Sequence, residues 1–452
     1  MFRRPVARFV SFVPFVSFVF LVSFVSFVPF VSVVSAQTVT QRGFVEGRAF
    51  LFPQEAVNDP TRAVGDLLAR EDVFVKPAPW VRFAAGLELR ANSHDQVEDS
   101  WRLDMDDRGV RRPRASLRRL TATVTHGPFT IDAGKQFIRW GKADIINPTD
   151  RFAPRDFINV VDTEFLAVSG VRAVVQHGDE TFEAVWVPRF TPSRVPLLDQ
   201  RWTVLSGAAA ALPLVDSGSV LPAASQTGLR WGHVGSGFEY SLSFFNGFNH
   251  LPNIGLVGQV GLVGQVGQVG QVGQVGSVGL EGQGGALALQ RTYPAIRTYG
   301  ADAAVPTPWF TIKAEAAYFT SRQSGEAAAA DEFVLYVLQV ERQTGEWVIV
   351  AGYAGEAITA RHSTLSFAPD RGMTRSVVAR ASYTIDPVRS LALETAVRQN
   401  GDGVYGKAEY SQTRGQHWRA TVTAVGISGH SDDFLGQYHR NSHVAVALRY
   451  SF

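Results

Sequence analysis

The chain has 452 residues, of which 43 are basic and 41 acidic, and it contains no cysteine. The absence of cysteine excludes disulfides, thiolate metal sites and cysteine nucleophiles, and the near-zero net charge gives no indication of nucleic-acid binding. Charged residues make up 19% of the chain, against about 25% in soluble proteins, yet no run beyond the N-terminus is long and apolar enough for a membrane helix.

The first predicted element is a secretory signal peptide over residues 1–36. A basic stretch (residues 1–8) precedes an apolar stretch (9–33), and Val34-Ser35-Ala36 supplies the small residues of a cleavage site. The apolar stretch exceeds the usual length of about 7–15 residues, so an uncleaved membrane anchor is the alternative. Two prolines within it disfavour a permanent helix. Cleavage would leave 40 basic residues against 41 acidic ones.

Residues 37–452 are predicted to form an all-β domain, a transmembrane antiparallel up-and-down β-barrel. In residues 80–91, Val81, Phe83 and Leu87 alternate with polar or small residues, which is the period of a strand with two different faces. Similar stretches recur to the C-terminus, each long enough to cross a bilayer as a tilted strand of about 9–11 residues. The predicted strands lie at 43–52, 64–76, 80–91, 115–126, 128–140, 165–177, 179–190, 224–234, 237–247, 294–305, 308–320, 332–343, 345–357, 373–385, 388–400, 402–413, 415–427 and 438–452.

The connections between these strands fall into two alternating sets. Very short turns, such as those at Gly127 and Gly178, alternate with long connections such as 92–114 and 141–164. Bacterial barrels have short periplasmic turns, long outer loops and an even number of strands. The pattern predicts eighteen strands with both termini on the periplasmic side, with sixteen as the alternative. Only the connection at Asn400-Gly401 is short where a long one is expected.

The strand at 128–140 continues into a connection with a dense set of charges. Asn147-Pro148 is expected to start a turn there. A loop folded into the barrel at this point would form a constriction with fixed charges, whereas an outer loop held by its own turns and salt bridges is the alternative. The candidate constriction residues are Arg139, Lys142, Asp144, Asp150, Arg151, Arg155 and Asp156.

Residues 255–285 repeat Val-Gly-Gln, with glycine at every third position. Collagen shares that period but also needs abundant proline, so a flexible Gly-rich loop is the better interpretation. The strand count places it outside the cell, in the longest loop. We expect a repeat expansion of little functional consequence; a pore-occluding or adhesive loop is the alternative.

The last predicted strand carries apolar residues at every second position and ends on Phe452. This pattern resembles the C-terminal recognition strand of outer-membrane barrels, which the barrel-assembly machinery reads. Tyr450 and Phe452 are therefore the candidate assembly signal. A chain that simply ends in a strand is the alternative.

Tryptophans at strand ends favour two interfacial girdles, which membrane barrels place at both rims. Four of them follow short turns, and Trp140 lies at an opposite strand end; ordinary sheet packing is the alternative. The four are Trp80, Trp309, Trp347 and Trp418.

The strand faces opposite the apolar ones are expected to line the barrel interior. Ten basic and five acidic residues on those faces suggest a mild preference for anions, although the same charges would also form a cross-strand ladder. A barrel of about eighteen strands leaves an aqueous channel unless loops plug it. The pore-lining candidates are Arg82, Glu88, Arg90, Arg119, Arg172, Lys313, Glu315, Arg380, Arg398, Lys407, Arg419 and Arg449.

The segment Gly134-Lys135-Gln136, followed by Arg139-Trp140-Gly141-Lys142-Ala143-Asp144 and Asn147-Pro148-Thr149-Asp150, resembles a motif of uncharacterised bacterial outer-membrane barrels. Those barrels are similar to porin-like and alginate-export-type families. The resemblance covers this hairpin and loop well and the rest of the chain loosely. It implies an eighteen-strand-like barrel that passes anionic or sugar-like solutes, without fixing the substrate. The Gly-rich tract departs from the family pattern.

Together these features predict a bacterial outer-membrane, porin-like channel for passive passage of small, anionic or sugar-like solutes, without enzymatic activity, cofactor or metal. The expected partners are outer-membrane lipid, the barrel-assembly machinery and an unidentified small solute, with no nucleic acid; homo-oligomerisation is left open. A polysaccharide-export barrel and a non-conducting structural or adhesive barrel are the alternatives.

Two further functions are disfavoured. An outer-membrane enzyme would need a catalytic set placed by geometry, but the ten histidines are scattered and His362-Ser363 is the nearest candidate. A TonB-dependent receptor would need a large plug before the barrel, whereas strand-like sequence follows soon after Ala36.

Overall fold

The computed structural model describes residues 38–204, 214–261, 285–322, 330–361, 369–399 and 401–452, so the predicted signal peptide and His362-Ser363 lie outside the described residues. Its strands are β1 (Thr38–Leu51), β2 (Ala63–Ala78), β3 (Val81–Asn92), β4 (Leu103–Asp104), β5 (Ala115–His126), β6 (Phe129–Gln136), β7 (Arg155–Asp156), β8 (Glu164–Phe165), β9 (Val168–His177), β10 (Glu180–Val187), β11 (Leu214–Val220), β12 (Gln226–Gly235), β13 (Phe238–Phe248), β14 (Asn253–Gly261), β15 (Gly285–Thr292), β16 (Ala295–Pro306), β17 (Thr311–Ser321), β18 (Glu332–Thr344), β19 (Trp347–Ala360), β20 (Ser376–Asp386), β21 (Arg389–Arg398), β22 (Gly403–Arg414), β23 (Trp418–Gly429) and β24 (His443–Ser451). A four-residue helix α1 (Pro369–Gly372) and a 3-10 helix (Gly436–Asn441) lie in the connections. Across the described ranges, no helix is long and apolar enough to cross a membrane.

Eighteen of these strands form one closed antiparallel ring, in which each pairs with its neighbours in chain order. The ring closes where β1 pairs with β24, from Phe44 opposite Ser451 to Leu51 opposite Val444. Beyond that register, the backbones of Gly43 and Phe452 exchange two hydrogen bonds of 3.0 Å. Closure gives every wall strand two partners, as backbone surrounded by lipid requires. The predicted eighteen-strand antiparallel barrel is confirmed.

Six short strands lie outside the ring. The two-residue β4 pairs with the start of β5, and β7 pairs with β8. The strands β11, β15 and β14 form a separate three-stranded sheet in the long connections. These elements belong to the loops, and the sequence pattern did not predict them.

Exposed, large apolar side chains alternate with buried side chains along the wall strands. In β24, Val446 is 47% exposed on the outer surface of the ring, whereas its neighbour Ala445 on the inner surface is 7% exposed. Phe83 and Leu87 in β3 are likewise exposed, while the intervening Ala84 is buried. In these strands the period of two in the sequence therefore places large apolar side chains outward and small or polar ones inward.

Short turns join the strands at one end of the ring, which we call the short-turn end, and the longer connections lie at the other, the loop end. Gly127, Gly178, Gly345 and Gly415 occupy these turns with φ between +54° and +63°. Glycine adopts this left-handed region without the steric penalty of a side chain. The exception at Asn400-Gly401 is also seen, since β21 and β22 are joined at the loop end by only four residues, of which Asn400 is not described.

Three predicted strand boundaries differ from the structure by four or five residues. The first strand, predicted from residue 43, begins at Thr38. The strand predicted over 128–140 ends at Gln136, because the chain leaves the wall there and enters the lumen. The strand predicted from 438 begins at His443, because the preceding residues form the 3-10 helix.

The glycine-rich tract is partly ordered into sheet. Its described first part, 255–261, lies in β14, which pairs antiparallel with β15, and Gly285 begins β15. These residues are therefore extended and paired, as their interspersed valines favour, while the expected flexibility of the tract stays a prediction. The rest of the tract lies outside the described residues.

The tryptophans divide into two groups. Trp80, Trp309, Trp347 and Trp418 are between 41% and 69% exposed at the short-turn end, where the predicted girdle would place them. Trp140 is not at the opposite rim, because it lies inside the ring, 2% exposed. Its indole N–H donates to Glu183 at 2.6 Å, a partner that only the interior offers.

Candidate functional site: the narrowed lumen

The chain between β6 and β9, residues 137–167, leaves the wall and lies within the ring; we call it the inward loop. Trp140 and Phe152 in this loop are no more than 2% exposed and pack edge to face, with ring centroids 5.2 Å apart. The Asp150 carboxylate accepts hydrogen bonds from the backbone N–H groups of Trp140 (2.6 Å) and Gly141 (2.7 Å). This contact folds the loop back on itself around the Asn147-Pro148 turn.

One wall of the ring holds the inward loop through Glu315 of β17. Its Oε2 accepts the backbone N–H groups of Lys142 (3.0 Å) and Ala143 (3.1 Å), and its Oε1 accepts the N–H and hydroxyl of Thr149, both at 2.8 Å. Glu315 is only 3% exposed. A predicted pore-lining carboxylate is therefore a loop anchor, since its acceptor sites are occupied by the chain itself.

Asp144 extends this contact to β18. Gln339 accepts from the Asp144 backbone N–H (2.8 Å) and donates to its carboxylate (2.6 Å), and Lys313 approaches the same carboxylate at 2.9 Å. Burial opposes ionisation, but the hydrogen bonds from Lys313 and Gln339 outweigh it and lower the pKa of Asp144. Asp144 is therefore ionised at neutral pH.

The far end of the inward loop contacts the other side of the ring. Asp162 pairs with Arg48 of β1 at 2.5 Å, and Glu164 pairs with Arg70 of β2 (2.5 Å) and Arg90 of β3 (2.6 Å). In the ring order, β1–β3 lie nearly opposite β17 and β18. The inward loop therefore crosses the lumen from wall to wall.

Five buried charged residues connect the inward loop to two neighbouring loops. We call them the buried charge cluster: Asp107, Arg112, Lys135, Asp156 and Arg194. Asp156 accepts from Arg112 at 2.9 and 3.0 Å and from Arg194 at 3.3 Å. Asp107 pairs with Lys135 (2.6 Å) and Arg194 (2.8 Å). Burial opposes ionisation of Asp156, but Arg112 and Arg194 outweigh it and hold its pKa well below the usual range.

The remaining loop candidates lie beside the same loop. Arg139 pairs with Asp150 at 3.1 Å, and Lys142 reaches Glu239 (3.1 Å) and Asp302 (3.3 Å) on the wall. Arg155 lies over the Phe165 ring and Arg151 over the Phe319 ring. The structure thus brings all seven predicted constriction residues together in one segment inside the ring.

The predicted pore-lining residues share the inner face but differ in their partners. Six of them take part in ion pairs of 3.3 Å or less: Glu88, Arg90, Arg172, Lys313, Arg398 and Arg449. Lys407 is 3.6 Å from Glu409. Among the described residues, no ion-pair partner lies within 4.0 Å of four of the arginines. These are Arg82, Arg119, Arg380 and Arg419.

Sequence reasoning missed several inner-face carboxylates that neutralise these cations. Glu183 pairs with Arg172 at 2.8 Å, Glu46 with Arg449 at 2.8 Å, and Glu341 with Lys313 at 2.8 Å. Glu183 alternates with the exposed Phe182 and Trp186 in a predicted strand, so the same period that selected the arginines would have found it. The balance of lining charge is therefore closer to even than the predicted ten to five.

In the described part of the chain, cavities remain between the inward loop and the wall, two of them of about 230 Å³ or more. The first cavity, of about 500 Å³, is lined by β18–β23 and by the loops above them. The second, of about 230 Å³, is lined by β1 and β22–β24 and carries Arg419 and Arg449. Val161 of the inward loop lines both cavities, so the two spaces adjoin at its side chain. Within the described ranges, no three His, Cys, Asp or Glu side chains are grouped to hold a metal ion.

Comparison with solved structures identifies the fold. The chain is similar to Acinetobacter baumannii OccAB4 (TM-score 0.50, 9% identity, 92% of this chain and 99% of that one) and to Pseudomonas aeruginosa OpdQ (TM-score 0.51, 8% identity, 93% and 99%). It is also similar to a BenF-like porin from Pseudomonas fluorescens Pf-5 (TM-score 0.50, 9% identity, 92% and 98%). Identities this low show a shared fold alone. These neighbours show that the chain shares the barrel fold of these porins, and they lend no support to the alginate-export part of the resemblance.

No protein-family model matches the chain, and no curated protein matches it.

Proposed function

We propose that the protein is a bacterial outer-membrane channel for the passive passage of small solutes, exported by cleavage of residues 1–36. The observation that carries the proposal is a closed barrel, apolar outside, whose lumen is narrowed by the inward loop but retains two adjoining cavities. A ring of this size is too wide for side chains alone to fill. A solved porin with the same fold supports the transport role.

The solute preference follows from the charges that the chain leaves unneutralised. Three of the four arginines without ion pairs, Arg82, Arg380 and Arg419, are exposed on the inner face. Most inner-face carboxylates are already occupied: Glu88 and Glu183 by arginines, and Glu315 by the inward loop. The field in the water-filled space therefore favours anions weakly.

The inward loop is proposed as the constriction that sets the size limit. It is fixed at both walls by charge-assisted hydrogen bonds, which are stronger than neutral ones, so it holds a defined opening rather than moving with each solute. The second proposed element is the pair Tyr450 and Phe452, as the signal by which the barrel-assembly machinery recognises β24.

Planar-bilayer recording of the purified protein tests the channel. We expect steady ohmic current in KCl and a reversal potential that favours chloride weakly. Arg419→Gln should shift the reversal potential towards cation preference, because it removes an unpaired lumen charge, whereas Arg414→Gln, an exposed arginine at the short-turn end, should not. A barrel that inserts but passes no current would be the non-conducting alternative, and cation preference in the wild type would remove the anion proposal alone.

A further inference from the structure

Three charged residues form a row across the wall of the lumen. Arg380 of β20 lies directly opposite Glu394 of β21, and Glu394 lies directly opposite Lys407 of β22. Adjacent strands are about 4.8 Å apart, so the row alternates positive, negative and positive charge over about 10 Å.

The charges in this row do not pair with one another. Elsewhere on the inner face, opposite charges in the same cross-strand relation do pair: Arg70 with Glu88 at 2.5 Å, and Arg449 with Glu46 at 2.8 Å. Among the described residues, neither Arg380 nor Glu394 has an ion-pair partner within 4.0 Å. Two opposite charges thus remain available side by side.

Both charges face the first cavity, whose other walls are mostly apolar. Val160 and Ile145 of the inward loop, Val378 and Ile427 of the wall, and Leu435 above them surround the space. A volume of about 500 Å³ falls in the range of small-molecule sites, about 300–1,000 Å³. An apolar enclosure with a few converging charges is the usual composition of a ligand site.

We propose that the first cavity binds a zwitterion with an apolar body, of the class of an apolar α-amino acid, with its carboxylate at Arg380 and its ammonium at Glu394. This inference rests on the proposed channel function and names the solute class at this one site. A simple anion would leave Glu394 unpaired and would meet Asp144 and Glu341, which also line the cavity. A simple cation would be repelled by Arg380, and a sugar would have no apolar group to pack against the apolar wall.

The test measures block of KCl current through the full mature protein in planar bilayers at about pH 6, where an α-amino group is protonated. The probes are L-leucine, N-acetyl-L-leucine (anion only), L-leucinamide (cation only) and glycine (zwitterion without the apolar body). We expect L-leucine to block at concentrations about tenfold lower than the other three, since one charge-assisted contact or one buried aliphatic side chain changes affinity by about that factor.

Two variants assign the contacts. Glu394→Gln should raise the blocking concentration of L-leucine about tenfold and leave that of N-acetyl-L-leucine unchanged; Arg380→Gln should weaken L-leucine similarly and spare L-leucinamide. Glu346→Gln and Arg414→Gln, exposed residues at the short-turn end that line neither cavity, are the matched controls and should leave every probe unchanged.

The outcomes separate the two proposals. KCl current without preference for L-leucine over the single-charge probes overturns the zwitterion site and leaves the channel standing. Equal block by glycine and L-leucine overturns the role of the apolar wall. Absence of KCl current overturns the channel and this inference with it.

Discussion

At the scale of single residues, Asp156 holds the loops in place. Asp156 is 4% exposed, and two arginines from separate loops, Arg112 and Arg194, share its carboxylate. It also accepts the backbone N–H of Ile158 at 3.0 Å. Removing the charge would leave both guanidinium groups buried without their common anion. Leaving buried charges unpaired destabilises the fold more than the loss of the contact alone.

We predict that Asp156→Asn lowers the free energy of unfolding by about 3–5 kcal/mol at pH 7, measured by guanidinium unfolding of the folded barrel. Asp99→Asn is the control, since Asp99 pairs with Arg114 at the surface with its side chain 96% exposed and such pairs contribute about 0–1 kcal/mol. Equal unfolding midpoints for wild type and Asp156→Asn would contradict the role given to this cluster.

The same carboxylate predicts a dependence of stability on pH. The pKa of Asp156 is lowered in the folded protein, so as the pH falls the unfolded chain takes up this proton first. The contribution of Asp156 is complete above the ordinary carboxyl pKa of about 4 and decreases below it. Unfolding midpoints measured from pH 7 to pH 3 should fall more steeply below pH 4 in the wild type than in Asp156→Asn.

At the scale of elements, the backbone of β6 departs from the usual extended conformation two residues before the strand ends at Gln136. Gly134 has φ +118°, and a Cβ built there would lie 2.1 Å from the Leu120 carbonyl oxygen of β5. A side chain would therefore combine an unfavourable backbone conformation with a backbone clash. The backbone conformation of β6 just before the inward loop therefore requires glycine at this position.

We predict that Gly134→Ala destabilises the barrel by about 1–3 kcal/mol or more and lowers the yield of folded protein, scored by its migration on gels before and after heating. Gly406→Ala is the matched control within a wall strand, because no atom lies within 4 Å of its built Cβ. A fully folded Gly134→Ala with wild-type stability would contradict this account of the strand end.

The closing strand gives a second prediction. Deleting Phe452 removes both backbone hydrogen bonds to Gly43 and the terminal ring, which lies near Tyr450, so we expect several-fold less folded protein in the outer membrane. Phe452→Ala keeps the backbone bonds and loses only the ring. Loss of assembly in both variants would indicate recognition of the ring, whereas loss in the deletion alone would indicate a need for the backbone bonds; normal assembly of both would contradict the assembly signal.

The strands of the wall could be predicted from the sequence because residues close together in the chain determine them. Alternation within each strand and the turn residues between strands, such as Gly127 and Gly345, fix the strand number and the inner face. The inward loop depends on contacts between distant residues, such as Glu315 with Thr149, which no local period reveals. One local signal does point to the inward loop: the run from Phe333 to Leu338 in β18 is apolar on both faces, which indicates a strand covered on its inner side as well.

At the scale of the whole molecule, the proposed channel would pass solutes through the point where the two cavities adjoin. Because the chain contains no cysteine, a thiol-specific reagent would react only at a single introduced cysteine, and any change in current could be assigned to that position. We predict that a charged methanethiosulfonate reagent reduces the current of Val161→Cys by about half or more, since added bulk and charge at a constriction oppose ion passage. Gln416→Cys, exposed in a short turn, is the control. Unchanged current in modified Val161→Cys would place the passage elsewhere.

The inward loop also makes the two halves of the ring mechanically unequal. Along β10, β13 and β16–β18, its apolar side chains pack on Val187, Phe245 and Leu335 into one close-packed cluster, and packed interiors resist deformation. Along β20–β23 the loop packs through Ile145, Val160 and Val161 on a second cluster, but the first cavity interrupts this packing. Thermal bending of the cylinder should therefore concentrate in that less densely packed arc, where a bulky solute would gain room without loosening the rest of the structure.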